Sequence, residues 1–179
     1  DESAEAVIAV KNGYMITGAT PSFGNMRQSL YVARISDKGQ LMWENGFYSD
    51  EDDRYVGKSI VKVNDNHMMI AGWDDHIKFF NSEVQAYLTA VSINGQQKWV
   101  NRYGGDDPDK ANSIIKVKDG YIFAGETETW GHGDSDAYVV KIDESGQQVW
   151  HNAFGYKDDE TAKQIIATRD GGYILVGTT

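Results

Sequence analysis

Short runs of alternating apolar and polar residues fill most of the chain, and clusters of Gly, Asp and Asn separate them. The runs are rich in β-branched and aromatic residues, which is the composition and the periodicity of β-strands. No window keeps the 3.6-residue apolar period of an amphipathic helix. The pattern therefore predicts an all-β chain in which helix is scarce.

One apolar strand motif occurs four times and closes on glycine each time. Its copies cover residues 13–18, 67–72, 120–125 and 172–177, so the closing glycines lie 54, 53 and 52 residues apart. In three units a second strand follows, then a Gly-Gln turn, and then a Trp with an Asn two residues later. These Trp and Asn residues are Trp43, Asn45, Trp99, Asn101, Trp150 and Asn152. Self-similarity at this period predicts an array of equal structural units.

Each complete unit is predicted to contain four antiparallel strands, which in the third unit cover residues 112–117, 121–127, 137–143 and 147–154. Asn-Gly and Asp-Gly pairs supply the positive φ angles of two-residue hairpin turns. One meander cannot bury both of its faces alone, so neighbouring units must stack. The sequence thus predicts a single domain, a β-propeller-like array of four-stranded antiparallel blades with about three and a half repeats of ~52 residues, in units at about 1–49, 50–104, 105–155 and 156–179.

The last unit contains only two predicted strands, whereas closed propellers typically have four or more blades. Three interpretations stay open: a four-bladed ring with a two-stranded last blade, a part of a longer propeller, and an assembly of two or more copies. We favour a curved array or small ring whose last-blade edge meets another chain or a missing segment. Unpaired strand edges are templates for pairing, so this one should be covered.

Two segments of the repeat resemble a known family. Residues 170–177 read Asp-Gly-Gly-Tyr-Ile-Leu-Val-Gly, and residues 138–143 read Tyr-Val-Val-Lys-Ile-Asp. With the Gly turn and the Trp that follow, they resemble blades of the quinoprotein-like (PQQ-type) propellers, and more closely a repeat common in predicted secreted bacterial proteins. The resemblance covers essentially the whole chain and implies a propeller fold and an extracellular, cell-surface or periplasmic location. The cofactor and metal ligands of the quinoprotein enzymes have no counterpart motif here, so none is carried over.

Composition narrows the range of partners. Acidic residues outnumber basic ones by 27 to 17, for a formal net charge of −10, and the chain contains no cysteine. Such a chain is a poor partner for nucleic-acid phosphates and anionic lipid surfaces. The lack of cysteine excludes disulfides, thiol catalysis and thiolate metal sites. No stretch approaches the ~20 apolar residues of a membrane-spanning helix, so we expect no membrane span.

In a four-stranded meander the tight glycine turns lie on one face of the array and the longer loops on the other. Binding residues concentrate on loops held by a rigid scaffold, and Trp is favoured at interfaces, so we expect the loop face to bind a protein partner or carbohydrate. The alternative is that its aromatic residues pack over their own loops. The loop predicted at 73–83 departs most from the repeat. The candidate binding residues are Phe23, Trp73, Phe79, Phe80, Trp130 and His132.

Clustered carboxylates on the same face suggest calcium, because hard cations take oxygen ligands. The candidate calcium ligands are Asp52, Asp53, Asp107, Asp109, Asp134, Asp136, Asp159 and Glu160. No loop matches the twelve-residue calcium-loop pattern. We therefore favour the alternative that these carboxylates are solvated turn residues that accept backbone N–H bonds.

No catalytic residue is predicted. The sequence has no His-Glu-x-x-His, Gly-x-Ser-x-Gly or phosphate-loop motif. We therefore expect a non-enzymatic secreted or cell-surface binding or assembly module without a cofactor, which meets a protein partner or a second copy through the unfinished last-blade edge. The alternative is a cofactor- or calcium-dependent propeller enzyme, either a hydrolase or quinoprotein-like.

Overall fold

A computed structural model describes residues 2–23, 27–48, 53–78 and 81–179. In these ranges the chain forms fourteen antiparallel strands and no helix, which confirms the all-β prediction. Sheet 1 contains β1 (Ser3–Val10), β2 (Gly13–Thr20), β3 (Ser29–Ser36) and β4 (Leu41–Phe47). Sheet 2 contains β5 (Arg54–Asn64), β6 (His67–Lys78), β7 (Asn81–Ser92) and β8 (Gln97–Tyr103). Sheet 3 contains β9 (Asp109–Val117), β10 (Gly120–Thr127), β11 (Asp136–Ile142) and β12 (Gln148–Phe154), and sheet 4 contains β13 (Thr161–Ala167) and β14 (Tyr173–Thr178).

The sheets stack in chain order, and side chains alternate between two faces along every strand. The face toward the next sheet is termed the forward face, and the face toward the preceding sheet the back face. Between sheets 1 and 2, Met15 packs in one cluster with Ile70 and Tyr87. The equivalent cluster between sheets 2 and 3 contains Met69 and Phe123. Each interface thus repeats the same arrangement of apolar residues one unit further along the chain.

The first strands of consecutive sheets lie side by side, with β1 against β5, β5 against β9 and β9 against β13. Each of these strands has a register shift opposite the closing glycine of the next strand. A hydrogen bond between sheets recurs next to the shift. The Ile114 backbone N–H donates to Ser59 Oγ over 3.2 Å, and the Ile165 N–H donates to Ser113 Oγ over the same distance.

The closing glycines of the repeat are explained by this shift. A Cβ on Gly125 would collide with the carbonyl oxygen of Lys110, because the shifted strand brings its backbone against the glycine. The same contact recurs in the other three sheets, where the carbonyl oxygens of Ser3, Val56 and Thr161 lie against Gly18, Gly72 and Gly177. Glycine is needed at these positions for the close approach of two backbones.

Recurrent Trp and Asn residues connect sheets 1 and 2 to a tight turn of the following sheet. Trp43 Nε1 donates to the Ile93 carbonyl over 3.1 Å, and Asn45 Nδ2 donates to the Gly95 carbonyl over 2.8 Å. One unit later, Asn101 Nδ2 lies 3.4 Å from the Gly146 carbonyl oxygen. These side chains satisfy carbonyls of a tight turn that the sheet ladder leaves unpaired.

One feature of the array differs from the expectations. The predicted loop at 73–83 is wrong, because β6 and β7 continue as a paired hairpin with Asp74 opposite Gln85 and His76 opposite Glu83. In the described part of the chain, no sheet closes on itself and no strand pairs sheet 1 with sheet 4. The same residues include no helix with the length and apolar character needed to cross a membrane.

Candidate functional site

The three described aromatic candidates, Phe23, Trp73 and Trp130, belong to different units, and each lies beside another protein side chain. Phe23 lies 6.5 Å from the Tyr31 ring, and Trp130 lies 5.3 Å from the Tyr138 ring in a stacked arrangement. Trp73 is on β6, where the Arg54 guanidinium lies 5.0 Å from its ring. Among the candidate binding residues, His132 is exposed. Phe79 and Phe80, together with the candidate ligand Asp52, lie outside the described residues.

The predicted metal ligands divide into two groups. Asp107, Asp134 and Asp159 are exposed, as expected of solvated turn residues, and Glu160 is half-buried. The solvated interpretation is wrong for Asp53, Asp109 and Asp136, which are buried. No cluster of three or more His, Cys, Asp or Glu side chains that could hold a metal ion occurs within the described ranges.

Asp109 shows how a buried carboxylate is held in this fold. Its Oδ2 accepts hydrogen bonds from the Gly105 N–H over 2.8 Å and from Thr129 Oγ1 over 3.0 Å. Its Oδ1 is buried without a hydrogen-bond partner. Burial raises the pKa of Asp109, and hydrogen bonds from Thr127 and Gly105 only partly oppose this rise.

Replacing Asp109 by asparagine is expected to stabilise the protein at pH 7 by about 1 kcal/mol, because the amide avoids the desolvation cost of a buried charge. The raised pKa means that wild-type stability is retained below the pKa of the unfolded chain and is lost as the pH rises through the folded pKa. The advantage of Asp109→Asn should therefore shrink as the pH falls through the raised folded pKa and be lost below about 4, the pKa of an aspartate in the unfolded chain. Urea unfolding at pH 7 and below about pH 4 measures the difference in stability between the variant and the wild type. Asp107→Asn, at an exposed neighbour, is the control, and a variant that is less stable than wild type at both pH values would contradict the expectation.

The second unit contains a cluster of charged residues, built around the buried carboxylates of Asp53 and Asp74, at the loop end of its back face. Arg102 Nε donates to Asp74 Oδ2 over 2.7 Å, and Arg102 Nη2 donates to the Tyr55 hydroxyl over 2.6 Å. His76 Nδ1 lies 2.7 Å from Asp53 Oδ2, and its Nε2 lies 3.1 Å from Asp74 Oδ2. The cluster joins residues from or beside three strands of one sheet, so local sequence motifs do not reveal it.

In this arrangement the His76 ring is held between the carboxylates of Asp53 and Asp74. Both ring nitrogens of His76 face carboxylates, and both can donate only when the ring carries two protons. Neither nitrogen then has a free lone pair with which to accept a proton from a substrate. Burial raises the pKa of Asp74, while Arg102 and His76 oppose the rise.

A comparison between units would have found part of this cluster. Asp109 and Thr127 face each other across β9 and β10, and in the second unit the equivalent pair is Tyr55 and Asp74. The aspartate of this pair thus lies on the first strand in the third unit and on the second strand in the second unit. A burial argument from sequence does not reveal the change, because each unit has one aspartate in this pair.

No protein-family model matches the chain, and no curated protein matches it significantly. The candidate sites therefore rest on geometry. The most regular geometric feature is that equivalent apolar residues are exposed in the first and last sheets and buried in the interior ones.

Residues on the forward face of sheet 4 are exposed at positions that the interior buries. Val176 is 59% exposed and Ile174 is 49% exposed. The equivalent residues of the other sheets, on the strand that closes on glycine, are buried. They are Thr17, Ala71 and Ala124 for Val176, and Met15, Met69 and Ile122 for Ile174.

The back face of sheet 1 is open in the same way. Val7 is 60% exposed, whereas its equivalents Ile60, Ile114 and Ile165 are buried against the preceding sheet. A cavity of about 580 Å³ on this face is lined by Phe23, Tyr31 and Glu44, among others. The residues equivalent to Tyr31 in sheets 2 and 3, Tyr87 and Tyr138, are fully buried.

Proposed function

We propose that the chain is a non-enzymatic assembly module whose sheets stack as propeller blades and whose two open ends dock against each other in a second copy of the chain. The forward face of sheet 4 in one copy then packs on the back face of sheet 1 in the next. The observation that carries the proposal is the exposure of Ile174 and Val176 at positions that are buried in every preceding sheet.

The internal interfaces support the choice of a second copy as the occupant. Forward-face residues at the positions of Ile174 and Val176 pack, inside the chain, on back-face residues at the position of Val7. Both halves of that interface are exposed at the ends. Burial of one Val or Ile side chain contributes about 1.5–3 kcal/mol, so a few such residues provide a substantial driving force. Because the two faces differ, the contact is head-to-tail and can extend into rings or filaments.

The secreted or cell-surface location and the partner-binding role of the loop face form part of this proposal. The location is supported by the resemblance of the repeat. The partner-binding role of the loop face is supported by the length of its connections, most of which are longer than the tight glycine turns on the opposite face.

Light scattering on a sizing column tests the assembly. We expect a native mass above 20.0 kDa that rises with protein concentration. Val176→Lys places a charge on the forward face of sheet 4 and should return the mass to that of one chain. Val149→Lys is the matched control, because Val149 is 55% exposed but lies on β12, away from the end face. A wild-type mass of one chain at every concentration, or equal effects of the two variants, would overturn the proposal.

A further inference from the structure

Two carboxylates converge beside Gly155, at the junction of sheets 3 and 4. A Cβ added to Gly155 would collide with both Asp136 Oδ1 and Glu160 Oε2, so the two oxygens lie against the same α-carbon. Asp136 is at the start of β11, and Glu160 directly precedes β13. Two negative oxygens this close repel each other unless a proton or a cation lies between them.

Asp136 has an oxygen with no partner. Its Oδ2 accepts hydrogen bonds from the His132 N–H over 3.0 Å and the Gly133 N–H over 3.1 Å. Its Oδ1 has no hydrogen-bond partner, although the residue is only 1% exposed. A buried charged oxygen without a partner is costly. This oxygen is the one directed toward Glu160.

Glu160 is held in place by its neighbours. Its Oε2 accepts a hydrogen bond from the Tyr156 N–H over 3.1 Å, and its Oε1 accepts one from Thr179 Oγ1 over the same distance. Its own N–H donates to the Ser135 carbonyl over 2.8 Å, which ties the segment before β13 to the loop before β11. Each Glu160 oxygen keeps further capacity to accept, because a carboxylate has about four lone-pair sites.

The equivalent place between sheets 2 and 3 is built differently. Gln85 occupies the position of Asp136, because Gln85 pairs with Asp74 as Asp136 pairs with Thr127. Its amide Nε2 donates to the Gly105 carbonyl over 3.1 Å. The second unit thus places a neutral donor where the third unit places a carboxylate. The third unit lacks a donor at this point, and a bound cation would supply the missing positive charge.

We propose that Asp136 and Glu160 bind a calcium ion. Two carbonyl oxygens lie in the same region, since those of Asp158 and Tyr156 would be 2.6 and 3.4 Å from a Cβ on Gly133, whose N–H donates to Asp136 Oδ2. Calcium accepts mixed carboxylate, carbonyl and water ligands in irregular geometry, whereas magnesium requires a near-ideal octahedron. A neighbouring cavity of about 350 Å³, lined by His132, Gly155, Tyr156 and Lys157, gives solvent access to this region. With two carboxylates, the dissociation constant is expected near the 10⁻⁴–10⁻³ M of extracellular calcium modules, by order of magnitude.

Terbium luminescence and calcium-dependent melting test this site. We expect terbium to give a saturable signal excited through the nearby aromatic rings, calcium to displace it, and calcium to raise the melting temperature. Asp136→Asn and Glu160→Gln should each weaken calcium binding by at least about tenfold, because each removes one of the two charged ligands. Asp159→Asn, at an exposed carboxylate one residue from Glu160, should bind calcium as wild type does.

The variants also separate a ligand role from a purely structural one. Without calcium, Asp136→Asn should be at least as stable as wild type, because it places an amide where the second unit has Gln85. A saturable site that both ligand variants weaken would support the proposal. No saturable signal, unchanged binding by both variants, or an equal stabilisation by magnesium would overturn it. The test can be separated from assembly by measuring calcium binding on an Ile174→Lys variant, because Val176 lines a cavity together with Glu160 whereas Ile174 is not among its lining residues.

Discussion

Gly125→Ala is expected to lower the free energy of unfolding by about 3 kcal/mol, at the upper end of the cost of overpacking a well-packed interior. The added Cβ meets the Lys110 carbonyl oxygen, which belongs to the backbone and cannot rotate away. Strands β9 and β10 would have to separate, which disturbs the Ile122 and Phe123 packing on both faces of sheet 3. For a chain of this size the melting temperature should fall by on the order of 10 °C.

Gly177→Ala is the matched control. It makes the same backbone contact, with Thr161, but β14 is exposed along its whole length. Sheet 4 can shift without disturbing a second interface, so we expect less than half of the loss seen with Gly125→Ala. Thermal and urea unfolding monitored by tryptophan fluorescence measure both variants. Equal losses would show that the backbone contact alone sets the cost and that packing on both faces of the sheet adds nothing to it.

Asp74→Ala is expected to cost about 3 kcal/mol, the lower end of the range for removing one partner of a buried ion pair. Asp74 is fully buried and faces both Arg102 and His76, so its removal leaves the guanidinium and the imidazole ring without their shared carboxylate. The lower end applies because the Arg102 side chain is 33% exposed and can recover some hydration.

A double-mutant cycle with Arg102→Ala assigns this loss to the cluster. If the ion pair causes the loss of stability, the sum of the two single-variant losses should exceed the loss of the double variant by more than about 1 kcal/mol. Asp65→Ala provides the surface control, because Asp65 forms an exposed ion pair with Lys62 and its loss should leave stability unchanged. Additive losses for Asp74→Ala and Arg102→Ala would mean that each residue acts through its own packing.

The parts of the fold that depend on local chemistry were predictable from sequence. In the third unit the four predicted strands correspond to β9 to β12, because their boundaries lie at Gly turns and strand alternation is local. The recurrence of Trp43, Trp99 and Trp150 at one strand position indicates a structural role, and the bonds of Trp43 and Asn45 to the next turn agree with it.

The candidate sites were less predictable, because they depend on contacts between strands and sheets. Asp109 and Asp136 appear in acidic loop segments and were interpreted as solvated, yet both side chains turn inward at the first residue of a strand. Trp73 was placed in a loop because the aromatic and charged residues after it break the repeat. Pairing between Asp75 and Val84 extends the hairpin through this region. Neither the burial of these two side chains nor the extension of the β6–β7 hairpin can be predicted from the residue periodicity of a single strand.

The stacking of sheets in chain order has a consequence for cooperativity. The strand contacts between sheets run from each sheet to the next, so the array behaves approximately as a one-dimensional chain of coupled units. Sheets 2 and 3 have two neighbours, and sheet 4 has one neighbour and two strands. We expect unfolding to start at sheet 4, with amide-hydrogen exchange fastest there and slowest in β6 and β10. In such a system each added unit contributes a similar increment of free energy, so the number of stacked units determines the free energy of unfolding of the array.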